Sequence, residues 1–236
     1  MPPDILFDLD GTLIDSSPGI LATFERVLAA HGLRAAVPLE ASLIGPPLAV
    51  TLRRIAGLGD IGDEALLGRL VEAFKRDYDT AGCLSTCAFD GVAEGLAQLA
   101  DGGARLFIVT NKRMVPTRRI LEALGLAHRF AGIHTRDETE PMAPSKSAVT
   151  QRVIDLYGID RGRAFFVGDS DEDAAAAREN GLRFIHAAYG YGAAGIPQGL
   201  PSVVASRPCI VLDHFARLPD IVDAFSREGC ALHERP

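Results

Sequence analysis

Long apolar runs are missing from this 236-residue chain: none reaches the roughly 20 residues that a bilayer-crossing helix requires. Met1-Pro2-Pro3-Asp4 leads into an apolar segment without the basic and apolar regions of a secretory signal, so no membrane association and a cytoplasmic location are expected. Long basic runs are missing too. With 31 acidic against 24 basic residues, the formal charge of −7 excludes nucleic acid and anionic membrane as expected partners, while leaving room for local phosphate binding. Cysteine is sparse: Cys83, Cys87, Cys209 and Cys230 form no disulfide framework for a chain of this size and are expected to be free thiols. No nearby His or second Cys pair completes a zinc set around Cys83 and Cys87. Internal repeats and low-complexity tracts are absent.

What is present is an alternation of short β-rich apolar runs with longer helical patterns, the βαβ signature of a parallel α/β sheet. Strands are expected at Ile5 to Phe7, Leu106 to Val109, Gly132 to His134, Ala164 to Val167, Arg183 to His186 and Cys209 to Leu212. Ile120, Leu121, Leu124 and Leu126 mark one helix, with Pro116 suited to its first turn and Gly125 to its stop. Val149, Val153, Ile154 and Tyr157 mark another, closed by Gly158, and Ala174 to Ala177 a third, closed by Asn180-Gly181. Between the first two strands the pattern is helical throughout: Ile20, Phe24, Val27 and Leu28; Leu48, Leu52 and Ile55; Leu66, Leu67, Leu70, Val71 and Phe74. The expected organisation is a Rossmann-like parallel-sheet core, residues 1–15 and 84–236, with an inserted α-helical cap domain, residues 16–83. Its hinges fall at Asp15 to Pro18 and Cys83 to Asp90.

Asp8-Leu9-Asp10-Gly11-Thr12-Leu13 directly follows the first strand. On a strand, residues i and i+2 share a face, and Gly11 allows the turn that brings both carboxylates to the carboxyl edge of the sheet, where open α/β sheets bind ligands. One acid is then a candidate nucleophile and the other a proton carrier. Thr110-Asn111-Lys112 brings a hydroxyl and backbone amides to the same edge. Ala143-Pro144-Ser145-Lys146 opens a helix whose dipole and lysine charge suit a phosphoryl anion and offset Asp8. Gly168-Asp169-Ser170-Asp171-Glu172-Asp173 follows a later strand, with Asp169 and Asp173 facing the edge and Asp171 and Glu172 facing solvent. Asp8, Asp10, Asp169 and Asp173 in one place would repel by several kcal/mol at an effective dielectric of about 20, so a hard divalent metal is expected, and Mg²⁺ fits such oxygen donors.

These four motifs, in this order, resemble those of haloacid-dehalogenase superfamily phosphohydrolases over nearly the whole chain. The resemblance implies Asp8 as the nucleophile that forms an aspartyl-phosphate. It implies Asp10 as the acid and base, with its backbone carbonyl touching the metal, and Thr110, Asn111 and Lys146 as phosphate-binding positions. Asp169 becomes a direct metal ligand and Asp173 a supporting one. Ser147 stands where members often carry proline after the third-motif lysine. The helix pattern after Lys146, Ile14-Asp15-Ser16 and Ile44-Gly45-Pro46-Pro47-Leu48 resemble the phosphoglycolate-phosphatase-like branch. The implied activity is Mg²⁺-dependent hydrolysis of a small phosphorylated metabolite.

Other readings stay open. A sugar-phosphate mutase shares Asp10; pyrophosphate or a nucleotide can replace the metabolite; a phosphate-sensing protein would be modified without turning over. A dehalogenase is disfavoured by Asp10. Gly190-Tyr191-Gly192-Ala193-Ala194-Gly195 matches a dinucleotide fingerprint, but Pro197 and Pro201 interrupt the helix that should follow it. Arg53, Arg54, Lys75, Arg76 and Tyr78 are cap residues without an assigned role, and the oligomeric state is not specified by the sequence.

Overall fold

The computed structural model describes residues 2–59, 63–194 and 210–231. Six parallel strands form the main sheet: β1 (Asp4–Phe7), β4 (Arg105–Thr110), β5 (Gly132–Thr135), β6 (Phe165–Gly168), β7 (Arg183–Ala187) and β8 (Ile210–Leu212), in the order β5-β4-β1-β6-β7-β8. All six expected strands are present. Cys209, the expected start of the last one, lies outside the described residues, as do Gly195, Pro197 and Pro201.

β1 is central, with Phe7 opposite Ile108 on one side and Val167 on the other. Strand alternation sorts its residues onto two faces. Ile5, Phe7, Ile108, Val167 and Ile185 belong to one core cluster, together with Val92, Leu96 and Leu99 of α4 (Val92–Asp101), Ile120 and Leu121 of α5 (Met114–Ala123), and Leu218 and Val222 of α8 (Leu218–Ala231). Leu6, Phe107, Val109 and Phe166 belong to the other, with Val149, Val153 and Ile154 of α6 (Lys146–Tyr157) and Ala176 and Ala177 of α7 (Asp171–Glu179). Helices on both faces are what a fully parallel sheet requires, because each face must be buried.

The helix stops fall where the glycines predict. Gly158 ends α6 with φ +61°, and Gly125 and Gly181, just past α5 and α7, have φ +68° and +67°. Such left-handed residues close helices at least cost when they lack a Cβ.

The long segment after β1 is not purely helical, contrary to the sequence expectation. Two short strands, β2 (Ile14–Asp15) and β3 (Cys87–Ala88), pair antiparallel, Ile14 with Ala88 and Asp15 with Cys87. Two residues are too few for a readable alternation. Between them lie α1 (Ser17–Ala30), α2 (Leu48–Ile55) and α3 (Glu64–Thr80). The expected stripes are the buried ones: Ile20, Phe24, Val27 and Leu28; Leu52 and Ile55; Leu67, Leu70 and Phe74. Leu48, Leu66 and Val71 pack partly buried against them. Phe24 and Phe74 meet at 4.7 Å between ring centroids, and Phe74 stacks on Tyr78 at 5.3 Å. Cys83 is buried, Cys87 is exposed, and both are free thiols. Among the described residues no helix is long and apolar enough to cross a membrane.

Candidate active site

Four chain segments meet at the carboxyl edge of the sheet. The Asp8 amide donates to the Val167 carbonyl at 2.9 Å, extending the β1–β6 pairing by one residue and fixing where the Asp8 side chain starts. Among the described residues, Asp8, Asp169 and Asp173 each offer a carboxylate oxygen within 4.8 Å of the others, and all three are buried. Lys146 enters from the first turn of α6 and lies 2.8 Å from Asp8 Oδ1 and 2.6 Å from Asp173 Oδ1, itself only 3% exposed. The helix is capped by Ser145, whose hydroxyl accepts from the Ala148 amide.

One ammonium among three carboxylates leaves a buried excess of negative charge. Burial pushes the Asp8 carboxyl up to about 8; Asp173 and Asp169 push the same way and Lys146 opposes them. Burial, then Asp173, pushes Asp169 up to about 6 against the Gly192 and Tyr191 amides. Burial alone would lower Lys146, but Asp173 and Asp8 outweigh it and hold the ammonium charged. A cluster of hard oxygen donors with uncompensated charge fits a hard divalent cation such as Mg²⁺.

The acids after β6 are set by local hydrogen bonds. Ser170 and Asp173 form a reciprocal capping box at the start of α7: the Ser170 hydroxyl and amide donate to Asp173 Oδ2 at 2.6 and 3.0 Å, and the Asp173 amide donates to Ser170 Oγ at 3.3 Å. Asp173 Oδ2 is therefore spent on the cap, while Oδ1 holds Lys146. Asp169 Oδ2 accepts from the amides of Tyr191 and Gly192 at 2.8 and 3.1 Å. Here the dinucleotide-like glycines find their use. A Cβ on Gly192 would lie 2.1 Å from the Asp169 carbonyl oxygen, and one on Gly190 would lie 2.2 Å from that of Gly11. The loop is a brace for the acids, with a short 3₁₀ turn at Tyr191–Ala194 where a nucleotide site would need a long helix.

Asp10 stands apart from the triad. Its Oδ1 accepts from the Ser16 hydroxyl and from Lys112 Nζ at 2.9 Å, and its Oδ2 receives Lys112 at 3.2 Å. The same ammonium donates to the Tyr78 hydroxyl at 2.8 Å, so a residue of α3 reaches the site. Lys112 and Tyr78 are the site residues that sequence reasoning did not assign. The available signal was a lysine two positions beyond the strand-end Thr110, but nothing in the sequence says which acid it meets.

Thr110 is buried at the end of β4, and its hydroxyl accepts from the Lys112 amide at 3.2 Å. Asn111 donates through Nδ2 to Glu172 Oε2 at 2.7 Å, and its buried Oδ1 has no hydrogen-bond partner among the described residues. Glu172 is exposed as expected, yet it is tied to the site's rim through Asn111. Of the remaining cap residues, Arg53 pairs with Glu64 and Lys75 with Glu72.

Comparison with known proteins places this geometry in context. The family description "Haloacid dehalogenase-like hydrolase" matches residues 5–187. The tyrosine-protein kinase PtkA of Mycobacterium tuberculosis (strain ATCC 25618 / H37Rv) is 34% identical over 196 residues, covering 82% of this chain; the chain spans only 64% of that relative's length. The phosphoglycolate phosphatase of Rhodospirillum rubrum is 31% identical over 230 residues, covering 93% of this chain and 90% of the relative. Among solved structures, one described as a predicted phosphoglycolate phosphatase from Haemophilus somnus 129pt superposes with a TM-score of 0.76 at 25% identity, covering 93% of this chain and 97% of that one.

Proposed function

The chain belongs to the haloacid dehalogenase-like hydrolases, and on that premise we propose that it is a Mg²⁺-dependent phosphatase of a small phosphomonoester, a phosphoglycolate-like metabolite, acting through an aspartyl-phosphate on Asp8. The observation that carries the proposal is the buried Asp8 carboxylate, paired with Lys146 and set beside Asp169 and Asp173 at the sheet edge.

Asp8 and Asp169, with the Asp10 backbone carbonyl, would hold the ion, and Asp173, engaged by Lys146 and the α7 cap, would support them. Bound there, the ion supplies positive charge that offsets the carboxylates and the phosphate oxygens. The protein's own groups do the rest. A carboxylate oxygen of Asp8 attacks phosphorus, the bond from phosphorus to the leaving oxygen breaks, and Asp10 gives its proton to that oxygen. Asp10, now a carboxylate, takes a proton from water as the water oxygen attacks phosphorus; the bond to Asp8 breaks, and inorganic phosphate and the starting acids are restored. Lys146, Thr110 and Asn111 hold the phosphate oxygens throughout. Residues 16–83 act as the cap that excludes water while the ester is bound.

A second reading is favoured by the kinase relatives: the same aspartyl-phosphate passes to a tyrosine hydroxyl in place of water. One experiment separates the two. Phosphate release is measured from phosphoglycolate, sugar phosphates, nucleotides and pyrophosphate, with Mg²⁺ or chelator, on wild type and Asp8→Asn. Multiple turnover that needs Mg²⁺ and is lost in Asp8→Asn is the expected result. Turnover in Asp8→Asn within a few-fold of wild type contradicts the covalent mechanism. Absence of turnover, with phosphate appearing on tyrosine when ATP is added, selects the second reading.

A further inference from the structure

Lys112 is a buried cation that the mechanism above leaves without a task. Its side chain is 6% exposed, and a buried charge is tolerated only when it is paired. An ammonium has three N–H donors. Acceptors for all of them lie inside the protein: Asp10 Oδ1 at 2.9 Å, Asp10 Oδ2 at 3.2 Å and the Tyr78 hydroxyl at 2.8 Å. Nζ also sits 4.8 Å from the centroid of the Tyr78 ring. Nothing remains with which to hold a substrate anion, so a binding role for Lys112 is the weaker reading.

The contacts on Asp10 are unequal. Oδ1 carries both the Ser16 hydroxyl and the shorter Lys112 contact; Oδ2 has only the longer one. Oδ1 is thereby the more heavily held oxygen, and Oδ2, with one long contact, is the one that keeps a lone pair for the proton. The clamp in turn is anchored on α3, whose last turn is bound to the β4–α5 region by three successive residues. Tyr78 accepts from Lys112, Asp79 pairs with Arg113, and the Thr80 carbonyl accepts from Arg119 at 3.0 Å.

We propose that Lys112 is a positioning residue: held by Tyr78 of the inserted helices, it clamps Asp10 through Oδ1 so that Oδ2 carries the proton delivered to the leaving oxygen. This rests on the hydrolase reading, in which Asp10 is the proton carrier. The proton leaves Oδ2 as the bond from phosphorus to the leaving oxygen breaks, and Lys112 itself neither gains nor loses one. Its consequence is that the seating of α3 sets how well the proton donor is aimed.

The test uses the dependence of kcat/KM on the leaving group, because that ratio reports every step through departure of the alcohol. An alkyl phosphate needs its leaving oxygen protonated; p-nitrophenyl phosphate, whose phenolate is stable, needs this little. Lys112→Met is expected to lose at least about 10-fold more on the alkyl ester than on the aryl ester, in the direction of Asp10→Asn, for which general-acid loss is about 10²-fold or more. Tyr78→Phe, which keeps the ring stacked on Phe74, is expected to show the same pattern at smaller size. Equal losses on both esters in Lys112→Met and Tyr78→Phe, as a binding or merely structural role would give, overturn the inference while a leaving-group effect in Asp10→Asn preserves the hydrolase reading. No leaving-group effect in Asp10→Asn, or no turnover by wild type, overturns both.

Discussion

Asp8 has a cost as well as a use. In the folded protein without metal its carboxyl is pushed up by burial to about 8, whereas an unperturbed aspartate titrates near 3.8. The folded state therefore binds the proton more tightly, and the stability this contributes below about pH 4 is lost as pH rises through about 8. Asp169, pushed up to about 6, adds a contribution of the same sign. Asp8→Asn keeps the volume and removes the titration. In chelator at pH 8 the variant is expected to melt above wild type, with the gap closing toward pH 4. A gap that does not change with pH, or a wild type more stable at pH 8, contradicts this account. The triad and Lys146 were legible because each acid follows an apolar run by a fixed offset, and the strand register of β1, β4 and β6 carries those offsets to one edge. Lys112 was not legible as a partner of Asp10, because that contact depends on side-chain direction across a 102-residue separation.

At the scale of elements, the pattern gave the six strands and the buried stripes of α1, α2 and α3, since periodicity is a local property. It missed the β2–β3 ribbon, whose pairing joins residues far apart in the chain and whose strands are too short to alternate. The loop after β7 is the other element whose meaning lay in tertiary contact. Tyr191 accepts through its hydroxyl from the amides of Ser16 and Ser17 at 2.8 and 3.1 Å and donates to Asp15 at 2.7 Å. Those amides open α1 and have no partner within their own helix. The Ser17 amide also donates to Asp15 Oδ1 at 3.0 Å, so Tyr191→Phe orphans the amide of buried Ser16 alone and is expected to cost about 1–3 kcal/mol, the usual penalty for one buried polar group, read by urea unfolding. A loss below about 0.5 kcal/mol, the size of an ordinary surface change, shows that water replaces the hydroxyl and that the loop is not a brace.

At the scale of the molecule, the parallel sheet, with helices on both faces, sets the candidate catalytic groups on one edge, and of the three inserted helices α3 reaches that edge through Tyr78 and is tied to the α5 region through Asp79 and Thr80. What the sequence left open is which ester the site selects, because the inserted arginines and lysines it offered are either paired on the surface or unplaced at the site. The chemistry is tested independently of that choice. A phosphate ester labelled with ³²P is mixed with the Mg²⁺-loaded protein, the reaction is quenched in acid during turnover, and the label is mapped to a peptide. The account predicts label on the peptide that contains Asp8, absent in Asp8→Asn and chased away by unlabelled ester. Turnover with no label on the protein, or label that persists in Asp8→Asn, contradicts it.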